Sequence, residues 1–225
     1  MCHSTCFMFG CINLSKEEVK DKKVLEIGSR DINGSLRPYI ESLEPTSYVG
    51  VDIIDGPGVD KICRVEELID IFGEKEFDVI IATELIEHVK DWRTAIHNIK
   101  KICNLNGIIL ITTRSIGFPI HGFPNDFWRF EKNDMEFIFS DFNITSLEND
   151  SMVPGIFVKA IKSDPFKEVD ISNYPIYSII TNKRTLDYNN YSRSQFFKHK
   201  IKSIVSNSGK YVFDIISRFY FNFFS

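Results

Sequence analysis

Val24-Leu25-Glu26-Ile27-Gly28-Ser29-Arg30-Asp31-Ile32-Asn33-Gly34-Ser35 decides how the chain is read. A short apolar run ends in an acid, a turn between two glycines follows, and residues 35–43 can form a helix. Strand, turn and helix in that order make the unit that cradles nucleotide-like cofactors. Glycine lets the backbone approach a ligand closely and take positive φ. The turn lacks the Gly-x-Gly-x-x-Gly spacing of a dinucleotide site and the Gly-Lys-Ser/Thr of a phosphate loop. Taken alone, it reads equally well as a plain connection.

The neighbouring segments add weight. Residues 48–53 read as a second strand carrying Asp52 at its end, 26 positions after Glu26. A carboxylate there can accept both hydroxyls of a ribose; the plain alternative is a turn acid or helix cap. Residues 59–63 read as a short third strand. Residues 65–72 read as a helix with Val65, Leu68, Ile69 and Phe72 on one face. The run Phe77-Asp78-Val79-Ile80-Ile81-Ala82 is almost unbroken apolar, as in a central parallel strand buried on both faces. Ala95, Ile96, Ile99 and Ile102 recur at helical spacing within 92–103, and 108–112 reads as a fifth strand. A helix at 133–139 precedes two strands, 144–149 and 156–161, expected as an antiparallel edge pair. Near the N-terminus, Ser15-Lys16-Glu17-Glu18 has capping-box spacing, so a short helix should begin at Lys16. Strands alternating with helices predict a doubly wound, mostly parallel sheet, with ligands bound at the carboxyl ends of its strands.

Composition sets the class. The 225 residues are 43% hydrophobic and 26% charged, ordinary for a globular chain with a sizeable core. Residues 159–225 hold 11 Lys and Arg against 5 Asp and Glu, or +6. Since the whole carries −4, residues 1–158 carry −10. A catalytic body this acidic disfavours nucleic acid as substrate. Five cysteines form no even framework, which points to reduced thiols and a cytoplasmic setting. No signal-peptide pattern and no run of about 18 apolar residues occurs. The spacing of Cys2, Cys6 and Cys11, with His3, misses that of zinc ribbons, so no metal is expected. Residues 1–13 are expected to cap the cofactor pocket, with Phe7, Phe9 and Leu14 packing.

Phe77-Asp78-Val79-Ile80-Ile81-Ala82-Thr83-Glu84-Leu85-Ile86-Glu87-His88-Val89 completes the pattern. Together with the first turn, Tyr48-Val49-Gly50-Val51-Asp52-Ile53 and Asn106-Gly107-Ile108-Ile109-Leu110-Ile111-Thr112-Thr113-Arg114-Ser115, it resembles class I S-adenosylmethionine-dependent methyltransferases. Within them it is similar to the small-molecule branch with Glu-His-Val after strand 4, over residues 14–162. The resemblance implies a Rossmann-like seven-stranded sheet and S-adenosylmethionine as cofactor. It implies that Glu26, Gly28, Ser29 and Gly34 hold the methionine end. Asp52 would take the ribose hydroxyls and Ile53 pack on adenine. Arg64 and Val65 stand where the family often has an acid for the adenine amino group, and Thr83 and Glu84 would line the pocket. Arg64 cannot accept a hydrogen bond, which leaves the adenine to the Val65 backbone.

Two segments bear on the acceptor. His88 is the base candidate by side-chain chemistry, with a structural histidine as the alternative. The loop after strand 5 carries His121, Asp126, Phe127, Trp128 and Arg129. His121, Asp126 and Arg129 are expected to bind or deprotonate a polar acceptor, the aromatics excluding water. The alternative is an internal Asp126–Arg129 salt bridge with Trp128 in the core. The expected acceptor is a small molecule, such as a sugar or glycan precursor, methylated on oxygen or nitrogen. Other readings are a nicotinamide-dependent oxidoreductase or epimerase, or a non-catalytic module attached to membrane by its tail.

The domain is expected to end at residue 163. Residues 164–225 form an extension, helical from about 195, basic and then phenylalanine-rich. That tail suits peripheral membrane contact, docking on the body, or a homodimer.

Overall fold

A computed structural model describes residues 4–122, 124–186 and 201. In chain order the elements begin with α1 (Ser4–Asn13), α2 (Lys16–Val19), β1 (Lys23–Ile27), α3 (Arg37–Ser42), β2 (Ser47–Asp52) and β3 (Lys61–Ile62). After a 3₁₀ turn at Val65–Glu67 come α4 (Leu68–Phe72), β4 (Phe77–Thr83), a 3₁₀ turn at Ile86–His88, α5 (Trp92–Ile102) and β5 (Cys103–Arg114). The rest is β6 (Trp128–Arg129), α6 (Lys132–Ile138), β7 (Phe142–Asn149), β8 (Gly155–Lys162), β9 (Ile176–Ser178) and β10 (Lys183–Thr185). The expected helix from 195 onward lies outside the described residues apart from position 201.

The main sheet runs β3-β2-β1-β4-β5-β8-β7. β1 pairs in parallel with β2 and β4, and β4 in parallel with β5. β8 pairs antiparallel with both β5 and β7, which is the expected edge pair. Alternation along the strands explains their continuous apolar runs. Leu25, Ile27, Ile80, Ala82, Ile109 and Ile111 face one core cluster, with α4, α5 and α6. Val24, Val79, Ile81, Ile108 and Leu110 face a second, with Cys6, Phe9, Leu14, Leu36 and Ile40 of the N-terminal helices and turns. Both faces are covered, so each strand needs apolar side chains in both directions.

Several boundaries differ from expectation. Strand 3 shrinks to two residues, and strand 5 extends to twelve because β8 pairs along its second half. Residues 4–13 form a helix on the second core face; Phe9 and Leu14 are buried, but Phe7 faces outward. A three-stranded sheet, β10-β9-β6, was not expected. The boundary placed after residue 163 cuts through a continuous core. Ile171, Ile176 and Ile180 belong to the same cluster as β1, β4 and β5. Arg93 on α5 donates to the carbonyls of Ile171, Tyr174 and Leu186.

Candidate active site

The order of strands reverses between β1 and β4, and a cavity of about 580 Å³ opens at the carboxyl ends there. That is the switch point at which doubly wound sheets bind ligands, and the volume falls in the roughly 300–1,000 Å³ range of small-molecule sites. Gly28 begins the turn out of β1 at φ 76° and lines the cavity. The positive φ is what favours glycine here, and a Cβ would also stand a tight 3.2 Å from the end of the Leu85 side chain. The Gly28 and Ser29 N–H groups both donate to the Val51 carbonyl, which ties the turn to β2. Asp31 N–H donates to Pro57, and Ile32 reaches the cavity wall. The stretch between the two glycines is thus anchored on the β2 side.

Asp52 closes β2 with its carboxylate on the cavity. Oδ1 accepts from Ile54 N–H at 3.0 Å and Oδ2 from Arg30 N–H at 3.4 Å, so backbone donors fix its orientation. A carboxylate offers about four acceptor positions, which leaves capacity for a ligand. Ile53 and Ile54 flank it, and Cys63, Arg64, Val65 and Glu66 form the facing wall. Arg64 pairs with Glu66 at 3.3 Å, so an acid does stand beside the position where Arg64 replaced one.

Five residues expected in the pocket do not line it. The buried Glu26 carboxylate accepts a short hydrogen bond from the Tyr48 hydroxyl on the α3 side of the sheet. Burial pushes its pKa up to about 7, with the Tyr48 hydrogen bond opposing. Ser29 is buried beneath Gly50 and Gly58, and Gly34 caps the Asp31 side chain from outside. Thr83 and Glu84 end β4 inside the protein. Glu84 pairs with Arg114 and receives hydrogen bonds from Thr112 Oγ1 and Cys6 Sγ, which ties α1 to the sheet.

The loop after β5 takes the alternative reading, an internal Asp126–Arg129 pair with Trp128 in the core. Asp126 and Arg129 have no solvent exposure and form a two-point pair at 2.6 and 2.9 Å. Arg129 further donates to the carbonyls of Phe118, Pro119 and Trp128. Burial acts to raise the Asp126 carboxyl, but Arg129 and His121 together hold it well below the usual carboxylate range. These two side chains therefore brace the loop and cannot reach an acceptor. Trp128 is core, its indole N–H donating to Val89.

His88 and His121 do come together. Their rings lie 4.6 Å apart, edge to face, and His88 lines the cavity with Gly122, Asn125 and Phe127. His88 Nδ1 sits 2.5 Å from the Asn125 carbonyl. Burial lowers the His88 pKa, the neighbouring His121 adds to this, and Glu87 opposes it, so the ring is kept neutral. Glu87, which the sequence reading left without a role, lies fully buried between these histidines and Thr113. An acid directly preceding a candidate base histidine was the available signal.

The residues fit an adenosine-bearing cofactor: an oriented carboxylate, apolar walls and a glycine turn converge on one cavity. Residues 9–150 match the family described as Methyltransferase domain. The comparison with curated proteins finds no match. Among solved structures, the chain resembles Burkholderia thailandensis 1,6-didemethyltoxoflavin-N1-methyltransferase, with a TM-score of 0.58 at 16% identity, over 71% of this chain and 79% of that one. An S-adenosylmethionine-dependent methyltransferase from Aquifex aeolicus gives 0.53 at 13% identity over 71% and 93%. The [4+2]-cyclase SpnF gives 0.52 at 13% identity over 65% and 78%. The fold is thus shared by enzymes of differing chemistry, while the family match spans most of the chain, including the glycine turn, Asp52 and the Glu87-His88 segment. The chain belongs to the methyltransferase-domain family, and its fold is that of S-adenosylmethionine-dependent methyltransferases of known structure.

Proposed function

We propose that the chain methylates a small molecule, of sugar or glycan-precursor type, with the cofactor seated in the cavity at the β1–β4 switch point. The cofactor supplies an activated methyl on a sulfonium, whose charge disperses as transfer proceeds. Asp52 accepts from the ribose hydroxyls, Ile53 packs on the adenine, and the Val65 backbone with Glu66 meets its amino edge. The Gly28 turn lies along the cofactor without a side chain in the way. Leu85 and Phe127 exclude water, which favours a reaction that disperses charge. His88, neutral at Nε2, and His121 are the polar groups nearest an incoming acceptor. The observation that carries the reading is the convergence of Asp52, Gly28 and Val65 on one cavity of the right size. The 1,6-didemethyltoxoflavin-N1-methyltransferase above, whose structure holds 1,6-didemethyltoxoflavin and S-adenosylhomocysteine, supports a small-molecule acceptor.

Calorimetry with S-adenosylhomocysteine tests the cofactor seat. Asp52→Ala is expected to weaken affinity by at least tenfold while leaving the melting curve of the ligand-free protein in place. Unchanged affinity would reject the ribose role. Labelled methyl transfer into fractionated cell extract then identifies the acceptor.

A further inference from the structure

Three polar atoms converge beside the cavity without touching. Glu87 Oε1 lies 3.9 Å from His88 Nε2 and 3.8 Å from His121 Nε2. The ligand atoms of the three groups all fall within 4.8 Å of one another. Glu87 has no solvent exposure, and its Oε1 has no hydrogen-bond partner. An orphaned carboxylate oxygen in the interior is costly unless something occupies the space it faces.

The other polar atom is held in two of the three groups. Glu87 Oε2 accepts from the Thr113 hydroxyl at 2.8 Å. His88 Nδ1 faces the Asn125 carbonyl, which can only accept, so Nδ1 carries a proton. His121 Nδ1 lies 3.3 Å from Asp126 Oδ2 without a hydrogen bond; that oxygen accepts from the His121 backbone N–H at 2.8 Å, and Arg129 grips the carboxylate. A neutral His88 held this way presents its lone pair at Nε2, and His121 does so in the tautomer that keeps its proton on Nδ1, toward Asp126. Two lone pairs and a carboxylate oxygen then face one another across gaps too long for hydrogen bonds. In that tautomer the arrangement is repulsive until a cation fills it.

We propose that Glu87, His88 and His121 bind a divalent first-row transition-metal ion. Two imidazoles and a carboxylate are ligands such ions take. Ligand atoms around such an ion stand roughly 3–3.5 Å apart, so the three need to close by about 0.5–1.5 Å. The Thr113 hydroxyl and the Asn125 carbonyl are the outer partners that fix a ligand's direction, and Asp126 holds the His121 backbone. Asp126 and Arg129 thereby gain a role, as positioning residues for His121. Three protein ligands leave a coordination position open, and His88 places it at the cavity wall. On the methyl-transfer reading, on which this consequence rests, the ion is a Lewis acid for an acceptor oxygen. The hydroxyl proton leaves to water, and transfer breaks a carbon–sulfur bond and makes a carbon–oxygen bond.

The test uses full-length protein stripped with a chelator and dialysed, then titrated with cobalt(II) by calorimetry and visible absorption. One ion per chain is expected, with d–d bands and no near-ultraviolet thiolate charge-transfer band. Glu87→Gln and His121→Ala are expected to lose affinity more than about tenfold. His97→Ala, at a surface histidine paired with Glu168, is expected to keep it. Absence of one-to-one binding, a thiolate band, or unchanged affinity in both ligand variants overturns the proposal. If Glu87→Gln fails to fold by circular dichroism, His121→Ala decides. The same metal-free sample is titrated with S-adenosylhomocysteine. Binding of that ligand without cobalt binding rejects the ion site alone. Cobalt binding without it rejects the cofactor reading alone.

Discussion

Glu26 shows how one buried acid couples fold and pH. Its carboxyl is 3% exposed and its pKa rises from 4.5 to about 7 because burial disfavours the charged form. The folded chain keeps a proton there that the unfolded chain has released. Between about pH 4.5 and 7 the folded state binds more protons, so stability falls as pH rises through that window. A neutral isostere has no such dependence. The stability of Glu26→Gln relative to the parent is therefore expected to grow between pH 5 and pH 8, by on the order of 3 kcal/mol. Urea unfolding of the two proteins at both pH values measures it, and a pH-independent difference would show that Glu26 is charged throughout. Asp52 lies elsewhere: its carboxylate is on the cavity, oriented by two backbone donors. The sequence placed both acids at strand ends correctly, but not which face each side chain takes. In β1, Glu26 points the way of Val24, toward the helices on the second core face, and meets Tyr48 there.

At the scale of elements, the loop at 115–130 is rigidly braced despite its prolines and glycines. Arg129 ties Phe118, Pro119, Asp126 and Trp128 together from inside. Breaking one partner of a buried pair strands the other as an uncompensated charge, at about 3–5 kcal/mol. Arg129→Met is expected to cost that much in urea unfolding, and Asp126→Asn added to it to restore part of the loss. A cost within 1 kcal/mol, or no coupling in the double variant, would show that water replaces the pair. The same loop marks where sequence legibility ends. β1, β4 and β5 were readable because burial on both faces leaves an unbroken apolar signature in Val24–Ile27, Val79–Ala82 and Ile108–Ile111. β6, β9 and β10 are two or three residues long, too short for any period to register. The sequence left Asp126 and Arg129 open between acceptor chemistry and an internal pair, because charged residues in a Pro-Gly loop usually face water and only their mutual pairing takes them inside. Glu87 was passed over because an acid after a strand usually reads as a solvated charge.

At the scale of the molecule, the sequence shift near residue 164 marks a change of composition and not the end of the core. The polar, tyrosine-rich stretch still delivers Ile171, Ile176 and Ile180 to the cluster built on β1, β4 and β5. Arg184 reaches back to Asp134 of α6 at 2.7 Å, and β9 pairs antiparallel with β6. β6 in turn lies beside the loop that carries His121, so this segment braces the His121 side of the cavity through one layer of packing. Burying three isoleucines contributes roughly 5–9 kcal/mol by area, an upper bound because the unfolded chain is partly compact. That is comparable to the whole stability of an ordinary domain. A chain ending at residue 163 is therefore expected to lose cooperative unfolding, whereas one ending at residue 186 retains it, when the two are compared by thermal melts in circular dichroism. The shorter chain should also fail to bind S-adenosylhomocysteine, although every cavity-lining residue lies before position 128. If both chains melt cooperatively at the same temperature, residues 164–186 are an appendage after all, and the active site is supported by the sheet alone.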